Sequence, residues 1–181
     1  MIEESRTVAP LVIRTVLPAE AGEVAALHRR ARATYYPDGF PDDGADWRAR
    51  WREAITRPGG RVLCAVHDGG LAGLACFRRP EAGLAGLACF RRPEGGPPGV
   101  VKLLQFHVDP DRWRSGIGTA LHTACVEEWR VDGVRAAVLD VHTGNERAQG
   151  FYARQGWVPD PEHPAGPDDH HLRLCFTVPG E

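Results

Sequence analysis

Short runs of apolar residues, bounded by Pro, Gly and Asp, alternate along this chain with longer segments in which apolar residues recur at helical spacing. The short runs predict strands at residues 11–16, 61–66, 71–77, 100–108, 135–141 and 172–178. The longer segments predict helices at residues 19–35, 47–55, 116–130 and 145–155. The order β-α-α-β-β-β-α-β-α-β is typical of an α/β layer structure with a mixed sheet.

Local signals support several of these elements. The turn His67-Asp68-Gly69-Gly70 joins two strand patterns, and Asp-Gly supplies the positive φ that a tight hairpin requires. The strand at 135–141 is almost entirely apolar, as expected of a strand that is covered on both faces. Gly156 follows the last predicted helix, where it serves as the C-terminal cap.

The sequence GLAGLACFRRPE occurs twice, at residues 70–81 and 83–94. Repeat architectures need at least about three units to bury a continuous core, so this tandem duplication does not indicate a repeat fold. We expect one copy to supply a strand between Val66 and Val100, and the hairpin turn directly before the first copy favours that copy. The second copy is then expected to leave the sheet as a loop or an outlying hairpin, and a homodimer is one way of covering its apolar side chains.

Composition limits the classes of function. The 181 residues are 43% hydrophobic, which predicts a single domain spanning residues 1–181. The net charge is -2 and no basic stripe is present, so no nucleic-acid partner is expected. No apolar run approaches the length of a membrane span, and the five cysteines form no CxxC pair. These features predict a cytoplasmic protein without a membrane partner, a disulfide framework or a metal site.

The first candidate for chemistry is VDPDRWRSGIGTAL, residues 108–121. A predicted strand ends there, a turn follows, and Gly116 and Gly118 open a helix. Small residues at a helix start let backbone N–H groups approach an anion, and a pyrophosphate is the natural ligand. The same glycines are also compatible with an ordinary tight turn.

A second stretch, residues 139–158, makes the interpretation of the first stretch more specific. Together the two stretches resemble the motifs of the GNAT superfamily of N-acetyltransferases, and the resemblance covers nearly the whole chain. The matching residues are Val108-Asp109-Pro110, Arg114-Ser115-Gly116-Ile117-Gly118, Asn145, Ala148, Phe151-Tyr152 and Gly156-Trp157. One position departs from the pattern, because Trp113 stands where Gln or Arg is commonest.

The resemblance implies a GNAT-like fold, with a mixed, mostly antiparallel sheet flanked by helices. In that fold a splayed parallel strand pair, 100–108 and 135–141, forms the acyl-CoA site. The implied cosubstrate is acetyl-CoA, and no metal is implied. The residues implied to bind it are Phe106, His107 and Val108 along the strand edge, the amides of Arg114, Ser115, Gly116, Ile117, Gly118 and Thr119 at the pyrophosphate, and Asn145 and Tyr152 beside the pantetheine.

The resemblance also implies two catalytic roles, an acid and a base. Tyr152 would protonate the leaving thiolate, although a core aromatic at this position remains an alternative. The amine must also lose a proton, and three residues are candidates for the base. Asp140 would act through water, His107 lies on the predicted strand beside the site, and His142 lies on the turn before Asn145.

The acceptor is expected to be the primary amine of a small, cationic metabolite or antibiotic. Two acidic loops suggest the positive charge, since acidic side chains attract a cationic amine. Their members are Asp38, Asp42, Asp43, Asp46, Asp160, Glu162, Asp168 and Asp169. No cysteine occupies the position of an acyl carrier, so direct transfer is expected. A protein or peptide N-terminus as acceptor, and a non-catalytic acyl-CoA sensor, remain alternatives.

Overall fold

The computed structural model describes residues 10–36, 44–78 and 99–180. Its centre is a seven-stranded sheet in the order β1-β2-β3-β4-β5-β7-β6. The strands are β1 Val12–Thr15, β2 Gly60–His67, β3 Gly70–Arg78, β4 Val100–Val108, β5 Ala136–His142, β6 Val158–Pro159 and β7 His171–Thr177. The helices are α1 Ala21–Ala33, α2 Trp47–Thr56, α3 Ile117–Val131 and α4 Glu146–Arg154.

The pairing of β4 with β5 is the feature that creates a site. All the other neighbouring strands pair antiparallel, whereas β4 and β5 run parallel. They pair only where Val100–Lys102 meets Ala136–Val138. Beyond Lys102 the two strands separate, and a register shift between β3 and β4 marks an irregularity in the same region. The predicted mixed sheet with a splayed parallel pair is therefore confirmed.

The helices cover both faces of the sheet and define two cores. On one face, Val24 and Leu27 of α1 and Trp51 of α2 pack on Cys64 and Leu74. On the other face, α3 contributes Leu121, Cys125 and Trp129, and α4 contributes Tyr152. Trp157 and Phe176 complete this second core, and their rings stack at 5.3 Å between centroids. Tyr152 of this core, with Phe106 and Phe151 packed against it, lines the opening between β4 and β5.

The first copy of the duplicated sequence forms β3, as predicted. The strand spans Gly70–Arg78 and pairs antiparallel with both β2 and β4. The preceding turn has the positive φ values that the hairpin needs, 50° at Asp68 and 74° at Gly69. The second copy, residues 83–94, lies outside the described residues, and so the expectations of a loop and a homodimer stay predictions.

Some element boundaries differ from the sequence-based prediction. The first helix begins at Ala21 and not at residue 19, because Pro18–Glu20 form a 3₁₀ turn in which Glu20 accepts hydrogen bonds from Arg14 and the Leu17 amide. It ends at Ala33, before Tyr35. Strand β6 was not predicted, because two residues are too few to show a periodic pattern. Over the described residues, no helix combines the length and apolarity needed to cross a membrane.

Candidate active site

A cavity of about 560 Å³ opens where β4 and β5 separate. Its walls come from the end of β4, the start of α3, the end of α1 and the length of α4. Of the predicted cofactor-binding and catalytic residues, all but Ser115, Asp140 and His142 line it. Those residues are Phe106, His107, Val108, Arg114, Gly116, Ile117, Gly118, Thr119, Asn145 and Tyr152.

The edge of β4 presents unpaired backbone groups to this cavity. The Asp109 amide donates to the Ala72 carbonyl at 2.8 Å, so Asp109 points its backbone toward β3. Backbone groups alternate sides along a strand, which turns the N–H and C=O of Phe106 and the N–H of Val108 toward the gap. The Val108 carbonyl accepts from the Trp113 side chain. An extended amide-bearing chain could therefore pair with this edge as an additional strand.

Trp113, the residue that departs from the GNAT-like motif, makes two contacts that hold it in the loop after β4. Its indole Nε1 donates to the Val108 carbonyl at 3.1 Å. The guanidinium Cζ of Arg147, from the first turn of α4, lies 3.5 Å from the centroid of the Trp113 ring. This cation–π contact joins the start of α4 to the loop after β4, so Trp113 holds the two walls of the cavity together.

The start of α3 is built to receive an anion. Gly116 has φ 83° and Arg114 has φ 64°, a left-handed backbone that curls the loop before the helix. No side chain caps α3, and the amides of its first turn have no acceptor within the helix. The Ser115 hydroxyl instead donates to the Arg112 carbonyl at 2.6 Å, away from the cavity. Free amides, the helix dipole and the Arg114 guanidinium together favour a phosphate group.

Ion pairs fix this loop to its surroundings. Arg30 of α1 contacts Asp109, which is 8% exposed, at 2.7 Å. Arg112 donates to the His67 carbonyl at 3.0 Å and to the Asp68 carboxylate at 3.3 Å, both in the β2–β3 turn. The loop is thus anchored on two sides, which holds its backbone donors in place before a ligand arrives.

Helix α4 supplies the opposite wall. Asn145 caps it through a hydrogen bond from the Ala148 amide to its Oδ1 at 3.1 Å, which leaves the side-chain N–H groups available to a ligand. Tyr152 is only 6% exposed, and its ring packs against Phe106, Phe151 and Trp157. Burial, with the nearby Cys125 and Tyr35, raises the pKa of Tyr152 well above its usual value. Its hydroxyl therefore remains a proton donor at neutral pH.

The three candidate bases are held in different ways. The Asp140 carboxylate lies 2.7 Å from Lys102 Nζ and 2.9 Å from Arg173 Nε. Burial alone would raise the pKa of Asp140, but these hydrogen bonds and charges bring it below the usual value. Since a proton on Asp140 would compete with two cations, its basicity is reduced.

The two histidines are also poorly placed as bases. His107 Nε2 lies 2.8 Å from Gln105 Oε1, and burial, with the His28 and Arg32 charges, lowers the pKa of His107 to about 3. The Gly144 amide donates to His142 Nδ1 at 3.0 Å. Burial, together with His171, His170 and Arg32, lowers the pKa of His142 as well.

The acidic loops use several of their carboxylates internally. Asp46 caps α2 by accepting from the Ala49 amide at 2.9 Å. Asp160 is 1% exposed and accepts from the Glu162 amide at 3.1 Å, with His163 Nδ1 at 2.8 Å. Asp169 accepts from the Gly166 amide at 2.7 Å. Asp38, Asp42 and Asp43 lie outside the described residues. These contacts weaken the argument for a cationic acceptor.

Sequence reasoning missed several residues at the cavity. Tyr35 lines it from the end of α1, and Arg147 lines it from α4. The pair Tyr35-Tyr36 directly before a loop was the available signal for the former. Nothing in the sequence indicated that Arg147 would meet Trp113. In the described part of the chain, no group of His, Cys, Asp or Glu is arranged to hold a metal ion.

The site has the features required to bind acetyl-CoA. The uncapped start of α3 with Arg114 suits a pyrophosphate, the open β4 edge suits an amide-bearing arm, and the cavity continues to Tyr152. Phe106, Val108, Asn145 and the amides of the α3 turn are the groups that would hold it.

Comparison with solved structures agrees with this fold. The PaiA N-acetyltransferase of Thermoplasma acidophilum, in complex with coenzyme A, is 15% identical, with a TM-score of 0.69 over 93% of this chain and 99% of that one. The ribosomal-protein-S18-alanine N-acetyltransferase of Escherichia coli is 17% identical, with a TM-score of 0.67 over 93% and 94%. Nourseothricin acetyltransferase is 22% identical, with a TM-score of 0.62 over 93% and 99%.

Comparison of the sequence gives the family. Among curated proteins, none matches this chain. The model of the acetyltransferase (GNAT) family matches residues 24–157, which is well over half of the chain and includes most of α1, the β4–α3 loop and α4. The chain therefore belongs to the GNAT family of acetyl-CoA-dependent acetyltransferases.

Proposed function

We propose that this enzyme transfers the acetyl group of acetyl-CoA directly to a primary amine of a small molecule. The observation that carries the proposal is the cavity itself. It connects an uncapped helix start, an unpaired strand edge and a buried tyrosine hydroxyl in one continuous space. The anion-binding end of the cavity suits the pyrophosphate of acyl-CoA, and the strand edge suits its pantetheine arm. The proton-donating end suits its thioester sulfur.

The binding roles follow from the groups available at each position. The amides of Gly116–Thr119, with Arg114, would hold the pyrophosphate. The backbone of Phe106 and Val108 would pair with the pantetheine amides, and the side-chain N–H groups of Asn145 would donate to the same arm. His107 belongs to this strand edge but points its ring toward His28, at 5.0 Å between centroids.

Acetyl-CoA supplies an activated acetyl carbon in a thioester. The amine nitrogen forms a bond to that carbon while the carbon–sulfur bond breaks, and the sulfur leaves with the bonding electrons. Tyr152 is proposed to donate a proton to this sulfur, because its hydroxyl is neutral at working pH and lines the cavity. The amine nitrogen also loses a proton, which passes to solvent or to a protein base. The proton that Tyr152 gave to the sulfur is replaced in this way. Asp140 and His107 are the candidates for the protein base.

The acceptor is proposed to enter from the α1 side of the cavity. The cavity there is bounded by Ala31, Thr34 and Tyr35. A small amine fits a half-enclosed pocket of this size. A protein or peptide N-terminus is the alternative acceptor. The Escherichia coli enzyme with the same fold is named for alanine of ribosomal protein S18.

Thiol release tests the proposal directly. The purified protein is mixed with acetyl-CoA and a panel of small amines and short peptides, and free CoA thiol is measured with a chromogenic disulfide. Amine-dependent thiol release that falls at least about a hundredfold in Tyr152→Phe supports catalysis with Tyr152 as the acid. Tight acetyl-CoA binding without release from any acceptor would instead favour the non-catalytic sensor.

A further inference from the structure

A cluster of aromatic rings lies beside the acceptor end of the cavity. It consists of Tyr35, Tyr36, His142, His170 and His171, from the end of α1, the end of β5 and the start of β7. The His142 ring lies 5.8 Å from Tyr35 and 5.6 Å from Tyr36. It also lies 5.5 Å from His171 and stacks on His170 at 6.5 Å. This ring cluster offers flat apolar faces to a planar molecule.

Tyr35 connects the ring cluster to the reaction centre. It is the member of the cluster that lines the cavity. It is also close enough to Tyr152 to contribute to the raised pKa of that residue. A molecule that reaches the proton donor from the α1 side therefore passes the Tyr35 ring.

Two observations concern the charges near the ring cluster. Arg32 Nη2 donates to the Tyr36 hydroxyl at 2.7 Å, so a guanidinium lies at the ring cluster. Lys102 and Arg173 share the carboxylate of Asp140. This carboxylate is therefore neutralised by two cations and offers little attraction to a protonated amine, whereas a neutral amine does not need it.

The described candidate bases are either engaged or weak. Asp140 accepts from two cations at 2.7 and 2.9 Å. His142 Nδ1 accepts from the Gly144 amide, so the neutral ring carries its proton on Nε2 and keeps no free lone pair. His107 donates from Nε2 to Gln105 Oε1 at 2.8 Å, so only its Nδ1 lone pair can take a proton, and burial lowers the pKa of this ring to about 3.

Other titratable groups nearby are displaced from the reaction centre. His170 and His171 do not line the cavity. Glu146 lines it but is exposed in the first turn of α4, six residues before Tyr152 and about 9 Å along the helix axis from it. The described residues therefore place no effective base beside Tyr152 for an acceptor that enters in its protonated form.

These observations converge on one class of substrate. Resting on the proposed function, we infer that the acceptor is a weakly basic aromatic amine, which enters unprotonated and places its ring against the ring cluster. Its nitrogen attacks the acetyl carbon, the carbon–sulfur bond breaks, and Tyr152 protonates the sulfur. The N–H proton released by the nitrogen passes to water, because the acetylated nitrogen holds it only weakly. The products are the aromatic amide and CoA thiol.

A panel that varies basicity and aromaticity independently tests this inference. The four probes are 4-methylaniline (aromatic, weakly basic), benzylamine (aromatic, strongly basic), glycinamide (aliphatic, weakly basic) and cyclohexylamine (aliphatic, strongly basic). At neutral pH we expect kcat/KM to be highest for 4-methylaniline, by at least about tenfold over each of the others, because each pH unit below an amine's pKa lowers its neutral fraction tenfold. Equal or faster acetylation of glycinamide or cyclohexylamine would overturn the inference while leaving acetyl transfer established.

The pH profile separates the inference from catalysis by a protein base. Between about pH 7 and pH 9, kcat/KM for 4-methylaniline should be flat, whereas that for benzylamine should rise about tenfold per unit. An inflection with 4-methylaniline that disappears in Asp140→Asn or His107→Asn would show a working protein base and overturn the inference. If other small amines release thiol but none of these four does, the inference fails and the proposed function stands. If acetyl-CoA binds and no small amine of the wider panel releases thiol, the proposed function fails together with the inference.

Variants at Tyr35 test the placement of the ring. Tyr35→Phe keeps the aromatic face and should retain the preference for 4-methylaniline over glycinamide. Tyr35→Leu keeps apolar bulk without the ring and should reduce that ratio by about tenfold, mainly through KM for the amine and with KM for acetyl-CoA unchanged. An unchanged ratio in Tyr35→Leu would mean that the ring cluster does not contact the acceptor.

Discussion

Replacing His122 by Gln should reduce the amount by which the free energy of unfolding falls between neutral and acidic pH. His122 lies on α3, is 4% exposed and accepts a hydrogen bond from Trp157 Nε1 at 2.9 Å. Aromatic rings surround it, the nearest being Phe176 at 5.5 Å. Burial lowers the pKa of His122 from 6.5 to about 4. A Gln carbonyl can accept the same indole N–H but does not titrate.

The magnitude follows from proton linkage. The unfolded chain takes up a proton near pH 6.5, whereas folded His122 resists it until about pH 4. Stability is therefore fully present above the unfolded pKa and falls as the pH drops through this window. At pH 5 the loss attributable to His122 is about 2 kcal/mol relative to pH 8. It reaches about 3.4 kcal/mol below pH 4, where both states are protonated.

Urea unfolding at about pH 8 and about pH 5, followed by far-ultraviolet circular dichroism, measures this effect. Burial also lowers the pKa of His28 to about 4 and that of His107 to about 3, so both contribute in the same window. The decisive quantity is thus the difference in pH dependence between wild type and His122→Gln, expected to be about 2 kcal/mol. His170→Gln, at an exposed position, is the matched control for losing a histidine.

A second substitution distinguishes titration from packing. His122→Leu also removes the titrating group, but it leaves Trp157 Nε1 buried without an acceptor. It should lose about 1–3 kcal/mol at pH 8 while showing the same reduced pH dependence as His122→Gln. If His122→Gln keeps the full wild-type loss between pH 8 and pH 5, with an unchanged m value, the linkage argument for His122 is wrong.

Four further changes test other parts of the structure. Tyr152→Phe should lower kcat by about 10²–10⁴-fold with little change in KM for acetyl-CoA, measured by thiol release. Gly118→Asp should abolish acetyl-CoA binding in calorimetry, whereas Gly118→Ala, whose Cβ would lie 3.3 Å from Phe151, isolates the steric part. Trp113→Phe keeps a ring for Arg147 but loses the bond to Val108, and it should raise KM for acetyl-CoA about two- to tenfold. Deleting residues 83–94 should leave a folded protein with unchanged acetyl-CoA affinity, because β3 is formed by the first copy.

Much of the fold could be predicted because the signals for it are local. The Asp68-Gly69 turn, the apolar run of β5 and the cap at Gly156 each depend on a few consecutive residues. Boundaries were less predictable where a side chain intervenes, as when Glu20 turns the start of the first helix into a 3₁₀ turn. The two-residue strand β6 depends on its pairing with β7, which no short pattern records.

The cofactor half of the site was predictable for the same reason. The β4–α3 loop is a contiguous segment, so its glycines, Arg114 and the helix start reach the cavity together. Ser115 was the exception, since its side chain turns back to Arg112 while its position in the motif is unchanged. The role of Trp113 was hidden because it depends on Arg147, a residue of another helix.

The acceptor half is determined by contacts that are distant in sequence. Asp140 has the residue type of a base, but its basicity depends on Lys102 and Arg173, which are 38 and 33 residues away. Both cations lie on strands that flank β5. The strands separate just beyond Lys102, so the sheet arrangement that opens the cavity also places Lys102 and Arg173 on the Asp140 carboxylate. The inferred preference for a neutral amine would follow from this arrangement, and varying amine basicity is the measurement that tests it.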